Sequence, residues 1–146
     1  AVAVLARLMA HPFFAVPPPK SLDRLDFARA LEGSGLAALS TADGAATLAA
    51  FTAASVAAVR AHLPAPPLRW LVTGGGRHNA AIMGALRAAL GAPVDPVEAV
   101  GWDGDALEAQ AFAYLAARSL RGLPLSLPTT TGVPEPMPGG RVARPR

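Results

Sequence analysis

The run of three glycines at Gly74, Gly75 and Gly76 constrains the fold of this chain more than any other feature. A short apolar segment, 68–72, precedes the glycines, and apolar residues recur every three or four positions over 80–90. The first pattern predicts a buried strand, and the second predicts a helix with one apolar face. The sequence therefore predicts a strand, a glycine turn and a helix, in a chain of the α/β class.

The ends of this helix are also visible in the sequence. Asn79 is a predicted N-cap, and Gly91 followed by Pro93 predicts the C-terminal end. The predicted apolar face consists of Ile82, Met83, Leu86 and Leu90.

The glycine turn has two interpretations. Consecutive glycines allow positive φ and let a ligand approach the backbone, and a helix start offers N–H groups that favour a phosphate. Gly74, Gly75, Gly76 and Asn79 are therefore candidate nucleotide-binding residues. A turn that only lets a strand and a helix pack closely fits the pattern equally well.

A Rossmann domain is a further alternative. Gly74 and Gly76 match the first two glycines of G-x-G-x-x-G, but Asn79 occupies the position of the third. Asp95 lies about 20 residues on, where a ribose-binding carboxylate is expected. A Rossmann-type oxidoreductase fragment thus stays open on the local pattern.

Composition narrows the class of protein. The 146 residues are 52% hydrophobic and 16% charged, which predicts a globular protein. The net charge of +3 comes from scattered arginines with few aromatics, so we expect no nucleic-acid partner. The absence of cysteine excludes disulfides and thiolate metal sites and agrees with the cytoplasm. The apolar opening segment, 1–14, is interrupted by Arg7 and is too short to span a bilayer, so we expect part of a helix and no membrane segment.

The other predicted elements are a proline-stiffened connector over 11–27, a long helix over 40–64, a short strand and loop over 92–105, and a last helix over 106–120. One side of the long helix is predicted to carry Leu48, Phe51, Ser55, Val59 and Leu63.

The start of the last helix holds a second candidate site residue. Asp105 and Glu108 have the spacing of a capping box, so Glu108 has a structural interpretation beside a functional one. Phe112 and Tyr114 in the same helix are predicted to pack. The three histidines, His11, His62 and His78, show no metal-ligand spacing.

Six segments, taken in order, resemble one family. They are "HPFFAVPPPKS", "ATLAAFTAASV", "LVTGGGRHNAAIM", "GDALEAQAFAYLAARSLRGLP", "LPTTTG" and "PGGRV". Together they resemble the C-terminal part of the anhydro-N-acetylmuramic acid kinases, bacterial sugar kinases related to hexokinase and actin. The absence of an initiator Met agrees with a piece of a longer chain.

The resemblance implies a fold and a division of the chain. It implies a C-terminal ribonuclease H-like lobe of the actin/hexokinase-type sugar kinase superfamily. Residues 1–39 would be a helix and proline-rich connector at the lobe boundary, and 40–146 the nucleotide-side lobe. The N-terminal lobe, outside this sequence, would carry the phosphate loop and the general base. We therefore assign no catalytic residue here, and nothing identifies Asp103 or Asp105 as that base.

The resemblance also implies an activity. Such kinases use ATP and Mg²⁺ to open the 1,6-anhydro ring of anhydro-N-acetylmuramic acid with water, and phosphorylate it to N-acetylmuramic acid 6-phosphate in cytoplasmic cell-wall recycling. By this resemblance the residues 74–76 approach the nucleotide, Asn79 opens the next helix and Glu108 lies near the sugar.

Three points stay open on the sequence. Asp23 stands where relatives usually have glycine, which leaves the roles of Lys20, Ser21 and Arg24 open. A second copy of the chain is a candidate partner. A non-catalytic nucleotide-binding domain of the same superfamily is a further alternative.

Overall fold

The computed structural model describes residues 1–143 as two compact units, which divide after Gly104. The first unit contains helices α1 to α4 and both strands, and the second contains α5 and the one-turn α6. The elements are α1 (Val2–Met9), α2 (Arg24–Gly33), α3 (Thr41–Ala58), β1 (Trp70–Val72), α4 (Ala80–Leu90), β2 (Val94–Pro96), α5 (Leu107–Leu120) and α6 (Pro128–Thr131), with 3₁₀ turns at Pro12–Ala15, Leu36–Ala38, Val59–His62, Gly75–His78 and Val97–Val100.

The two strands form a parallel pair connected through α4. Trp70 lies opposite Val94, and Val72 lies opposite Pro96. The predicted strand, glycine turn and helix are thus confirmed, and so is the α/β class. The prediction that the strand is buried was wrong: Leu71 is 37% exposed, because helices cover only the face that carries Trp70 and Val72 in the described part of the chain.

The core of the first unit lies between the sheet, α3 and α4. Its buried members are Ala53, Met83, Leu86, Leu90 and Val94, and Ile82 packs against them. The predicted apolar face of α4 is therefore confirmed.

The side of α3 that faces its neighbours differs from the prediction. The buried residues of α3 are Thr47 and Ala53, whereas Leu48 and Val59 are exposed. Small side chains let α3 approach α1 and α4 closely, and α4 is its main partner. Of the predicted side, Leu48 and Val59 are left uncovered by the described residues, whereas Phe51 packs against Phe14 and Phe27.

The proline-rich segment is shorter than predicted. α2 begins inside it, because Asp23 acts as N-cap and its Oδ1 accepts a hydrogen bond from the Leu25 N–H at 2.8 Å. Lys20 Nζ donates to the Phe13 carbonyl at 2.8 Å and lies 4.5 Å from the centre of the Phe13 ring. These contacts give Lys20 a structural role in holding the segment.

Residues 1–39 lie in the same compact unit as 40–104. α1 packs against α3, and an aromatic cluster joins the proline-rich segment to α2 and α3. The cluster consists of His11, Phe13, Phe14, Phe27 and Phe51, with ring centroids 5.6 to 6.2 Å apart.

The helical segment Thr41–His62 is long and apolar enough, by length and composition alone, to cross a membrane. It packs against α1 and α4 in the first unit. Core helices of water-soluble proteins have the same length and composition, so this observation has little weight.

The second unit consists of α5, α6 and the segment that follows them. Arg118 Nε donates to the Pro124 carbonyl at 2.7 Å, and Ser119 Oγ donates to the Gly139 carbonyl at 2.6 Å. Phe112 and Tyr114, predicted to pack, are exposed, because the described residues of this unit cover other faces of α5. The end of the predicted 40–146 lobe, residues 144–146, lies outside the described residues.

Candidate functional site

The glycine turn places its three glycines in different environments. Gly74 has φ 72° and ψ −179°, a conformation that essentially only glycine adopts. Gly75 and Gly76 are not among the glycines with positive φ, and a Cβ on either would meet no atom within 4 Å. The backbone therefore requires glycine at 74, whereas nothing in the described structure requires it at 75 or 76.

Asn79 caps α4 as predicted. Its Oδ1 accepts hydrogen bonds from the N–H groups of Ala81 at 3.0 Å and Ile82 at 3.2 Å. These two N–H groups at the helix start are therefore bonded within the chain. Among the described residues, the N–H groups of Gly75 and Gly76 have no protein acceptor, so the turn itself presents the available donors.

Arg77, which sequence reasoning missed, lies directly behind the glycines. Its side chain is only 3% exposed, and its Nε donates to Glu98 Oε1 at 2.8 Å. The guanidinium also donates through Nη1 to the Gly74 carbonyl at 3.0 Å. Residues 77 and 98 are joined by tertiary structure, so no local spacing in the sequence could have predicted the pair.

The surroundings of the Glu98 carboxyl favour its charged form. A hydrogen bond with its own backbone lowers its pKa below the usual value, against desolvation, which raises it. Hydrogen bonds from Arg77 and from the Gly104 N–H, and the positive charge of Arg77, lower the pKa further. Glu98 is therefore a carboxylate at neutral pH and a permanent acceptor for both groups.

Glu108 lies in the second unit, in the first turn of α5, and its side chain is exposed. The predicted capping box with Asp105 was wrong, because residues 104–106 form a turn and the N-cap is Ala106, with no side-chain cap hydrogen bond. Glu108 is thus not at the third helical position that a capping box requires. The glycine turn and Asn79 lie together in the first unit, and Glu108 lies in the other.

The residue expected to bind ribose in a Rossmann domain has a different role. Asp95 lies on β2, and its Oδ2 is 3.2 Å from Arg69 Nε. After β2 the described chain contains a 3₁₀ turn and two helices, and no further strand up to residue 143. The structure therefore gives the Rossmann alternative no support.

A parallel βαβ unit with a glycine turn at the end of its first strand places this chain in the α/β class of proteins. The family model described as anhydro-N-acetylmuramic acid kinase matches residues 1–143, and the chain belongs to that family. The resemblance inferred from the six segments is thereby confirmed.

Three curated relatives carry the same name. The protein from Acidiphilium cryptum is 68% identical, with 98% of this chain and 39% of the relative covered. That from Rhodospirillum rubrum is 64% identical over 94% of this chain and 36% of its own length, and that from Rhodopseudomonas palustris is 57% identical over 98% and 38%. This chain thus spans well under half the length of these relatives.

Proposed function

We propose that this chain is part of an ATP-dependent sugar kinase that opens the 1,6-anhydro ring of anhydro-N-acetylmuramic acid and phosphorylates it to N-acetylmuramic acid 6-phosphate. Family membership supports this proposal, because three relatives that share 57% to 68% identity carry the name of that kinase. The chain would form a C-terminal, nucleotide-side ribonuclease H-like lobe. The remainder of a longer polypeptide would supply the other lobe.

The observation that carries the nucleotide assignment is the open space in front of Gly75 and Gly76. Neither glycine is required by its own φ or by a neighbouring atom of the described structure. A ligand that comes close to the backbone gives a physical reason for both. We therefore assign Gly74, Gly75 and Gly76 to ATP, with Gly74 shaping the turn and Asn79 fixing the start of α4 behind it.

Glu108 is our candidate for the sugar side. Its carboxylate is exposed in the first turn of α5, where the helix dipole favours a negative charge, so that it is both structurally tolerated and accessible to a ligand. A carboxylate can accept hydrogen bonds from sugar hydroxyl groups.

ATP and Mg²⁺ differ in how they fit the described residues. The glycine turn suits ATP, whereas within residues 1–143 no group of three or more His, Asp or Glu side chains is arranged to hold a metal ion. Mg²⁺ in kinases is held by one or two carboxylates together with substrate phosphates and water. The protein ligands of Mg²⁺, like the general base, would therefore lie in the rest of the longer chain.

We further propose that the enzyme acts in the cytoplasm, in the recycling of cell-wall sugars. A cytoplasmic kinase of cell-wall recycling needs no membrane or nucleic-acid partner, and a second copy of the chain is a candidate partner. A non-catalytic nucleotide-binding domain is the competing proposal, and it predicts ATP binding without product.

Replacement of Gly75 or Gly76 by Val in the full-length kinase tests the nucleotide assignment. The side chain would extend into open space within this unit, so the fold should survive while ATP binding weakens. Gly84→Val is a matched control, since a Cβ at Gly84 in α4 also meets no atom within 4 Å. Titration calorimetry gives the ATP affinity, and mass spectrometry of the product identifies the 6-phosphate.

Two results would contradict the proposal. ATP affinity unchanged in both Gly75→Val and Gly76→Val would return the glycines to a role in turn geometry. Tight ATP binding by the full-length protein without formation of N-acetylmuramic acid 6-phosphate would favour the non-catalytic domain.

A further inference from the structure

Arg77 is the only charged residue that is buried among those whose side chains the structure describes. Burial of a guanidinium costs free energy unless its N–H groups find acceptors. The two acceptors described above are the Glu98 carboxylate and the Gly74 carbonyl, at 2.8 and 3.0 Å. The position of this side chain is thus fixed by the glycine turn on one side and by the 3₁₀ turn Val97–Val100 on the other.

The hydrogen bonds form a closed ring around Gly74. The Gly74 carbonyl accepts from the Arg77 N–H at 3.2 Å as well as from its guanidinium, and the Gly74 N–H donates to the Gly104 carbonyl at 3.4 Å. The Gly104 N–H in turn donates to Glu98 Oε1 at 3.3 Å, and Thr73 Oγ1 donates to the Gly104 carbonyl at 3.1 Å. The backbone N–H and the backbone carbonyl of Gly74 are therefore both hydrogen-bonded.

Gly104 is part of the same arrangement. A Cβ at this position would lie 2.7 Å from Arg77 Cζ and 2.8 Å from Glu98 Oε1, distances at which one of the groups must move. Because Gly104 has no side chain, the Arg77 guanidinium and the Glu98 carboxylate can form their hydrogen bond beside it.

We propose that Arg77 is a positioning residue for nucleotide binding, which holds Gly74 in its positive-φ, extended-ψ conformation through Glu98 and Gly104 and so sets the direction in which Gly75 and Gly76 face the nucleotide. This proposal rests on the proposed function. Arg77 acts through the turn and not on the ligand, because its side chain is 97% buried behind the glycines. Glu98 is 46% exposed, so the ion pair contributes mainly geometry and only modestly to stability.

The test compares Arg77→Met, Arg77→Lys and Glu98→Gln in the full-length kinase. Met removes the hydrogen bonds and keeps much of the volume, whereas Lys keeps the charge but lacks the planar fork that reaches both acceptors. We expect Arg77→Met to raise KM for ATP by roughly tenfold, as for a small displacement of a binding group. KM for the sugar should stay unchanged, and Arg77→Lys should lie between Met and wild type.

Arg87→Met is the matched control. Arg87 Nε also donates to a backbone carbonyl, that of Val94, at 3.2 Å, but it does not contact the glycine turn. Loss of this hydrogen bond in Arg87→Met should lower the melting temperature without a change in KM for ATP. A change in KM for ATP alone, without a change in KM for the sugar, distinguishes a residue that positions the glycine turn from one that only stabilises the fold.

The outcomes separate this inference from the proposed function. If Gly75→Val weakens ATP binding while folded Arg77→Met keeps the wild-type KM for ATP, the positioning role is wrong and the nucleotide assignment stands. If Gly75→Val itself has no effect, the nucleotide assignment fails first. Should Arg77→Met not fold, Arg77→Lys and Glu98→Gln decide, and a wild-type KM for ATP in both would overturn the inference.

Discussion

At the scale of single residues, the three consecutive glycines differ in whether the backbone requires glycine at each position. Gly74 is glycine because its φ and ψ exclude side chains, which is a property of the chain itself. Gly75 and Gly76 have no positive φ and have open space in front of them, so no described residue requires glycine at these two positions. The sequence predicted a glycine turn, but it could not show that only Gly74 is required by its backbone conformation.

Glu108 provides the first residue-scale prediction. Since an exposed carboxylate in the first turn contributes only a small stabilisation through the helix dipole, Glu108→Gln in the full-length kinase should change the melting temperature little. If the charge contacts the sugar, turnover should fall by about tenfold or more, the order expected when a charge-assisted hydrogen bond is weakened. Steady-state kinetics and a melting curve on the same preparation measure both quantities.

A matched variant tests whether the effect depends on position. Glu32 is an exposed glutamate near the end of α2, and Glu32→Gln should leave both turnover and melting unchanged. Full activity of Glu108→Gln would remove Glu108 from the sugar site.

At the scale of elements, α4 is the part that local chemistry determines most completely. Its N-cap, its apolar face and the αL glycine at its C-terminal end are all where the sequence predicted them. These are signals within one helix, which is why they can be read from the sequence. The pairing of Arg77 with Glu98 and the buried side of α3 depend on which elements meet, and periodicity carries no such information.

Removal of the α4 cap has a local consequence that can be measured. Asn79→Ala leaves the N–H groups of Ala81 and Ile82 without their acceptor and should cost about 1 kcal/mol at that end of the helix. Exchange of these amide hydrogens should speed up by roughly fivefold in the full-length protein. Hydrogen-exchange mass spectrometry of the peptide over 80–90 reports the change.

Asn79→Asp is the control for this prediction, because aspartate is an equally good N-cap and should keep exchange near the wild-type rate. Equal acceleration in the Ala and Asp variants would mean that the cap hydrogen bonds do not protect the first turn.

At the scale of the whole molecule, the two compact units together span only 36% to 39% of the length of the three relatives compared. Phosphoryl transfer requires the phosphates, the metal and the nucleophile to be held together. We therefore expect the 146-residue chain alone to give no product from ATP, Mg²⁺ and anhydro-N-acetylmuramic acid. Mass spectrometry of the reaction mixture checks this directly.

The same assay should be repeated after the remaining part of the kinase has been added as a separate polypeptide. Recovery of product formation would support a site shared between the two parts. Turnover by the 146-residue chain alone would contradict it and would return Asp103, Asp105 and Glu108 to consideration as general bases.

The short distances around Gly104 also have an evolutionary consequence. As long as an arginine occupies position 77 and a glutamate position 98 in this geometry, any side chain at position 104 collides with one of them. A smaller residue at 77 removes the contacts with the guanidinium, so that only the half-exposed Glu98 side chain has to shift to permit alanine or serine at 104. Substitutions at these two positions, 27 residues apart in the chain, should therefore be accepted together and not independently during the divergence of the family.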